Sequence, residues 1–390
     1  MTTSPASLWV PEKTLYLIDG HAQIFRAYFA IRGGMNSPRT GEPTQAIFGM
    51  AGMFLKFFQT CRPRYAVMAI DLPGKTFRDD IYPEYKANRP PPPADLLAQE
   101  KHIFELTKLF GIPVLGHSEA EADDVIATLT QRVLDDPTRM DWQVRIVSRD
   151  KDLEQLIGPR VTLYDIHQDT TVDEATLLAE KGITPQQVIE TLALRGDTVD
   201  NVPGVEGIGP KTAAELIRQF GSIEGIFDNL QNIKGKRREN LEKSRELLRT
   251  SRELVTLKRD LPLALTLADI GITPPDAAGL ERLFDEMGFH RHRKELATFL
   301  NECGIANQAG TPADALPDAK TISPLLEKKL PATSDSSLDF EGSLFEGMSG
   351  NRTTPELSES KSPANTQEHG ALQTDPGVLG QLDHSFIPRS

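Results

Sequence analysis

Three short apolar runs, each closing on an aspartate, constrain this chain more than any other feature. They are TLYLID at 14–19, YAVMAID at 65–71 and VRIVSRD at 144–150; a weaker fourth, VTLYD, follows at 161–165. Apolar runs of this length between turn residues suit strands buried on both faces. Helical patterns fill the gaps, at 44–59, 95–110 and 119–134. Strands alternating with helices predict an α/β fold built on a mostly parallel sheet.

From about Glu174 the strands cease. Helical patterns follow at 174–181, 185–194, 210–219, 222–230, 236–248 and 278–302, with a basic run at Lys234, Lys236, Arg237 and Arg238. Residues 305–390 are rich in Ser, Thr, Pro, Ala, Gly and acids and show no period, the composition of a disordered tail. The expected organisation is a flexible leader (1–12), an α/β domain (13–173), a helical domain (174–304) and the tail. No internal repeat is visible.

No apolar stretch is long enough to span a bilayer. The start, MTTSPASLWVPEK, lacks a signal peptide's basic and apolar segments. Two distant cysteines, Cys61 and Cys303, exclude a disulfide framework or a zinc cluster and suit a reduced, cytoplasmic compartment. The net charge of −13 argues at first against nucleic acid. Residues 306–390 hold twelve acids and six bases, so they carry −6 and the rest carries −7. If acids there hold metal ions, the remaining surface is near neutral, and net charge does not decide the partner.

In a parallel sheet the ligand site lies beyond the carboxyl ends of the strands. Asp19, Asp71 and Asp150 therefore reach one edge. Asp152 is two residues past Asp150, and on an extended chain both side chains point the same way. The stretch SEAEADDVIATL (118–129) opens a helix at that edge. Locally it reads as an ordinary acidic helix start, with Ser118 as cap and Glu121 completing a capping box. LRGDTVDN adds Asp197 and Asp200, spaced i and i+3 as on one helical face.

Nine carboxylates can thus converge: Asp19, Asp71, Glu121, Asp123, Asp124, Asp150, Asp152, Asp197 and Asp200. Like charges so gathered force protonation unless cations are present. Hard divalent ions with oxygen ligands relieve this, and carboxylate-held ion pairs suit phosphate chemistry. Any single strand-end Asp is equally a turn or helix cap.

Basic residues flank the acids. Arg26 and Arg78 each follow a strand-end Asp by seven positions, fit to hold a phosphate or to serve as surface ion-pair partners. YPEYKANRPPPP (82–93) joins Tyr82, Tyr85, Lys86 and Arg89. That is a composition for single-stranded nucleic acid or for a Pro-rich connection. In NVPGVEGIGPKTAAE (201–215), Gly204, Gly207 and Gly209 precede a helix start carrying Lys211 and Thr212, where backbone N–H groups can meet phosphate. The spacing is not that of a P-loop, and an ordinary turn between helices fits too.

In order and spacing, LIDGHAQIFRAYFA, FRDDIYPEYKANR, EAEADDVIATL, VSRDKDLEQL and GDTVDNVPGVEGIGPKTA resemble the 5′-nuclease (flap endonuclease) family. The similarity is greatest to the 5′→3′ exonuclease region of bacterial DNA polymerase I, over roughly 13–302. The resemblance implies a PIN-like 5′-nuclease core with a C-terminal all-α helix-hairpin-helix domain. It implies a first metal site of Asp19, Asp71, Glu121, Asp123 and Asp124, and a second of Asp150, Asp152, Asp197 and Asp200. Two or three Mg²⁺ or Mn²⁺ ions would bind there.

By the same resemblance Arg26, Arg78 and Lys86 stand at the scissile phosphate. Tyr82, Lys86 and Arg89 lie in a helical arch around the 5′ single strand. Gly204, Gly207, Gly209, Lys211 and Thr212, with Lys234 and Lys236, grip duplex backbone, with K⁺ at the hairpin. The implied substrates are DNA flaps, nicks and single-strand/duplex junctions, and RNA primers on DNA, cut in replication and repair to leave a 5′-phosphate; a nucleoid-associated place follows. Within these 390 residues the expected disordered tail follows the match, and a free-standing nuclease and the front part of a longer polymerase both stay open.

A non-catalytic DNA-junction binder of the same fold and a PIN-like ribonuclease are the alternatives. The complete acid set disfavours the first, and the arch and glycine turn disfavour the second. QLDHSF (381–386) is similar to a sliding-clamp peptide, which would make a clamp or polymerase a partner through the tail.

Overall fold

A computed structural model describes residues 11–31 and 33–302. The expectations for the leader before Pro11, for Cys303 and for the tail with QLDHSF lie outside the described residues.

Among the described residues six strands form one sheet. They are β1 (Thr14–Asp19), β2 (Tyr65–Ala69), β3 (Val114–Leu115), β4 (Gln143–Val147), β5 (Val161–Asp165) and β6 (Thr170–Val172), in spatial order β3-β2-β1-β4-β5-β6. Every pair is parallel except β5 with β6. All six residues of the central β1 are buried, because helices cover both faces of the sheet.

One face carries α1 (Gly20–Ala30), α2 (Gln45–Cys61) and, after a short α3 (Phe77–Ile81) that follows β2, α4 (Ala94–Leu109). Ile24, Met50, Phe54, Ile103 and Leu106 pack there against Tyr16, Ile18 and Met68. The other face carries α5 (Ala122–Asp135), whose Val125, Ile126 and Leu129 meet Leu15, Leu17, Val67 and Ile146. The helix after β1 starts without a linker. A Cβ on Gly20 would stand 2.6 Å from the Ala69 carbonyl oxygen, so a side chain there would push α1 off β2.

Among the described residues only helices follow β6. They are α6 (Glu174–Lys181), α7 (Val188–Arg195), α8 (Pro210–Phe220), α9 (Ile223–Asp228), α10 (Lys236–Lys243) and α11 (Arg245–Val255), then α12 (Ala277–Glu286) and α13 (His290–Glu302) after a long irregular passage. The expected single helix at 236–248 is two, broken at Ser244; that at 278–302 is two, broken at Gly288, whose φ is +73°. Apolar residues of α7, α8 and α11 join the α5 core, while α12 and α13 join the α2 core. Among the described residues no helix is long and apolar enough to cross a membrane.

Candidate active site

Asp19 is the last residue of β1 and caps α1, with Oδ1 accepting from the Ala22 N–H at 3.2 Å. Its Oδ2 accepts from the Ser148 hydroxyl at 2.8 Å, which ties the ends of β1 and β4 together. Ser148 Oγ also accepts the Asp150 N–H at 3.0 Å, and Asp150 Oδ1 accepts the Asp152 N–H at 2.8 Å. Asp152 thereby opens a 3-10 turn (Asp152–Leu156), where the sequence suggests an extended continuation. The turn still presents both acids at the strand end.

Asp71 Oδ1 accepts the Ala122 N–H at 2.7 Å, fixing the start of α5 beside β2. The His21 ring faces Asp71, with Nδ1 3.1 Å from the Asp71 N–H nitrogen and 3.4 Å from Oδ2. The cap of α5 is Glu121, not Ser118, with the Asp124 carboxylate accepting the Glu121 N–H at 3.1 Å.

Asp197 and Asp200 do not share a helical face. They sit in a turn whose neck is closed by the reciprocal backbone bonds of Asp197 and Val202, 2.8 and 2.7 Å long. Asp197 Oδ1 accepts from the Val199 N–H at 2.8 Å. Spacing i to i+3 serves a tight turn as well as a helix, and sequence alone does not separate the two.

Of the nine acids, four pair with an Arg or Lys side chain and a fifth, Asp71, faces the His21 ring. Arg78 Nη1 and Nη2 donate to Asp124 at 2.6 and 3.0 Å, and Nη1 is 3.5 Å from Glu121. Lys86 Nζ donates to Glu121 at 2.5 Å. Arg89 forks onto Asp200 Oδ1. Lys151 Nζ is 2.5 Å from Asp197, and His21 faces Asp71.

Among the described residues, the remaining four, Asp19, Asp123, Asp150 and Asp152, have no cation closer than Lys151, 3.9 Å from Asp152. Protonation reflects this. Burial, then the charges of Asp19, Asp150 and Asp152, hold Asp123 well above the usual carboxylate range. Burial raises Asp19 to about 6, the Ser148 hydrogen bond opposing and Asp150 adding to the rise. Burial and Asp150 raise Asp152 to about 7. Asp152 Oδ1 is buried and accepts no hydrogen bond.

Four crowded carboxylates with an orphaned oxygen suit a hard cation in donor chemistry. Among the described residues, however, no three acidic, His or Cys side chains already close into a ligand sphere. The nine-fold convergence is therefore narrower than expected. Asp124 is fully buried with both oxygens taken, by Arg78, the Glu121 N–H and the Lys258 N–H at 2.9 Å, and offers no lone pair toward the cluster.

Arg78 departs furthest from its expected place at a phosphate. It is 2% exposed, and its Nε donates to the Leu254 carbonyl at 2.8 Å. Arg26 pairs with Asp165 at 3.0 Å and stays partly exposed.

The segment 82–93 follows α3 as turns and is pinned on the 197–202 turn. The Lys86 N–H donates to the Asp200 carbonyl (2.9 Å), Asn88 to the Thr198 carbonyl (2.9 Å) and Asn201 to the Glu84 carbonyl (2.6 Å). Tyr85 is buried, its hydroxyl 3.2 Å from Glu121, while Tyr82 stays half-buried, donating to Glu84.

Residues 196–209 join α7 to α8. Gly204 packs on the end of α7, where a Cβ would stand 2.4 Å from the Arg195 carbonyl, so only glycine lets the loop return so closely. Gly207 and Gly209 face open space, with Lys211 and Thr212 in the first turn of α8. Lys234 is exposed, and Lys236 is an exposed partner of Glu206 at 3.5 Å.

Sequence reasoning passes over four residues. His21, Ser148 and Lys151 touch the acids; Lys151 is visible between two aspartates in SRDKDL. Phe29 projects from the outer face of α1, 64% exposed and stacked on Phe25, with centroids 6.3 Å apart and planes 13° apart.

Two sequence-family models match. The one described as 5′-3′ exonuclease, N-terminal resolvase-like domain, covers residues 14–182, and the one described as 5′-3′ exonuclease, C-terminal SAM fold, covers 183–278. A 5′-3′ exonuclease of Aquifex aeolicus is 38% identical over 288 residues, 73% of this chain and 95% of that protein. A DNA polymerase I of Rhizobium leguminosarum is 37% identical over 283 residues, 70% of this chain; the chain spans 27% of that protein's length. Among solved structures, a bacteriophage T5 flap endonuclease, in a pseudo-enzyme–product complex with DNA and metal ions, aligns with TM-score 0.51 at 23% identity. The alignment covers 76% of this chain and all of that one. At that identity the likeness speaks to the fold.

Proposed function

The chain belongs to the 5′-3′ exonuclease family, and from that premise we propose that it is a structure-specific nuclease. It would cut DNA phosphodiesters where a duplex meets a 5′ single strand or flap. The observation that carries the proposal is the set of four cation-poor carboxylates, Asp19, Asp123, Asp150 and Asp152, at the carboxyl edge of the sheet. These four, with Asp71, Glu121, Asp197 and Asp200 around them, would hold divalent ions, Mg²⁺ or Mn²⁺. When bound, such ions supply charge stabilisation to the attacking and leaving oxygens of a phosphodiester.

The chain's own residues divide the remaining work. Ser148 and the α1 backbone hold Asp19 in one rotamer, and His21 and the Ala122 N–H hold Asp71. Lys86 and Arg89 would exchange their acid partners for substrate phosphates, and Arg26 would meet the strand near Asp165. Arg78 and Asp124 act behind the site as its support. The exposed glycine turn with Lys211 and Thr212, and Lys234 and Lys236, would contact duplex backbone, with a K⁺ ion at the turn. Such contacts read shape and not sequence.

An RNA primer on DNA fits the same backbone-directed site, and nucleoid association follows from DNA binding. A division at 173/174 into a catalytic α/β domain and a helical DNA-binding domain is part of this proposal. So is a clamp or polymerase contact through 381–386, which loss of clamp binding on removing 375–390 would support.

The deciding experiment incubates the chain and Mg²⁺ with labelled 5′-flap DNA and, separately, linear single-stranded RNA. Flap cleavage in wild type and its loss in Asp123→Asn/Asp150→Asn is expected. Equal behaviour of the two proteins, or a preference for the RNA, overturns the reading.

A further inference from the structure

Lys151 lies between Asp150 and Asp152 in sequence and between Asp152 and Asp197 in space. These two spatial partners come from different elements: Asp152 follows β4, and Asp197 opens the turn after α7. The ammonium bridges the strand-end turn and Asp197, 3.9 Å from Asp152 and 2.5 Å from Asp197. It occupies the place where a cation between these acids would sit.

We propose that the Lys151 ammonium is a built-in monovalent cation of the carboxylate cluster. It preassembles Asp152 with Asp197, and a divalent ion entering that half of the cluster must displace it. The inference rests on the nuclease reading above and adds a hierarchy to it. Among the described residues the half of the cluster near Asp19 and Asp123 has no such competitor and fills first; the half near Asp152 and Asp197 fills second and weakly.

Displacement needs somewhere for the side chain to go. Lys151 also lines a cavity of about 260 Å³ between the 152–156 turn, α6, α7 and α8. Its side chain is part-exposed, and Glu180 on the cavity wall offers another carboxylate. The wall also carries Lys181, Arg195 and Lys211, so the displaced ammonium swings toward solvent, and its part-exposed position keeps the desolvation cost small.

The test titrates the full chain with Mn²⁺ alone, by calorimetry at fixed ionic strength. Wild type should show a tighter and a weaker class. In Lys151→Met the weaker class should tighten at least about tenfold, because a like charge at ion-pair distance is removed. Lys151→Arg keeps the charge and should titrate like wild type. On wild type, Mn²⁺ should also speed acetylation of Lys151, read by mass spectrometry, as the amine leaves Asp197. An isotherm unchanged in Lys151→Met, or acetylation unmoved by Mn²⁺, overturns the displacement and leaves the nuclease reading standing. Absence of Mn²⁺ binding in all three proteins overturns both.

Discussion

Arg78 and Asp124 form a buried, two-pronged ion pair, 2.6 and 3.0 Å long, with the guanidinium 2% and the carboxylate 0% exposed. The pair is sealed by the backbone from far along the chain, through the Leu254 carbonyl and the Lys258 N–H. It thus clamps α3, α5 and the end of α11 together behind the site. Removing one partner strands the other's charge in the interior. Arg78→Met should cost about 3–5 kcal/mol in urea unfolding. The double variant Arg78→Met/Asp124→Asn should lose less than the sum of its parts, with a coupling of about 0.5–3 kcal/mol. Additive losses would mean that the pair is not the clamp.

A second prediction concerns opposite effects of one substitution. Asp123 makes no ion pair among the described residues, and its carboxyl is held high by burial and by neighbouring acids, Asp19, Asp150 and Asp152 foremost. Asp123→Asn removes a repelling charge and little else. In EDTA at pH 8 its melting temperature should rise by a few degrees, roughly what 1 kcal/mol confers on a chain of this size. Its flap cleavage in Mg²⁺ should fall by at least about a hundredfold, the scale of losing one electrostatic stabiliser. A variant both less stable and fully active would show that Asp123 is a structural acid.

The contrast between Asp123 and Asp124, adjacent in sequence, shows what can be read in advance. β1, β2 and β4 are legible because both faces are covered and the runs are unbroken; of the acids that close those runs only Asp19 ends its strand, since β2 stops at Ala69 and β4 at Val147, short of Asp71 and Asp150. β3 and β6, two and three residues long, leave no period to detect. Asp123 and Asp124 look alike in EADDV. Their difference is set by α3 and by residues 254–258, the last of them 134 positions away, so no local pattern distinguishes them. Lys86 and Arg89 are legible as basic residues near the site, but their carboxylate partners come from distant elements: Glu121 at the start of α5 for Lys86, and Asp200 on the 197–202 turn for Arg89.

Phe29 gives a prediction of the opposite kind, in which stability is spared. A phenylalanine 64% exposed and stacked on Phe25 contributes little to the core, so Phe29→Ala should shift stability by no more than about 0.5 kcal/mol. On the nuclease reading, an exposed aromatic ring on the helix capped by Asp19 would offer a nucleobase a stacking surface. Affinity for 5′-flap DNA, read by fluorescence anisotropy in EDTA, should fall by about 1–3 kcal/mol. Unchanged affinity would take this helix face out of the DNA interface.

Glu100 supplies the pH dependence. It lies on α4, 4% exposed, with Oε1 buried and accepting no hydrogen bond. Burial raises its carboxyl from 4.5 to about 7, only partly offset by His21. The folded state therefore binds this proton more tightly than the unfolded chain does. Its contribution is fully present below about pH 4.5 and is lost as pH rises through about 7. Glu100→Gln mimics the protonated form at every pH. It should leave stability near the wild-type value at pH 5 and exceed it by about 1–3 kcal/mol at pH 8, since a tenfold change in proton affinity between the folded and unfolded chain is worth about 1.4 kcal/mol. The measurement is urea unfolding of both proteins at the two pH values. A variant no more stable than wild type at pH 8 would mean that the Glu100 carboxylate finds its compensation in the folded chain after all.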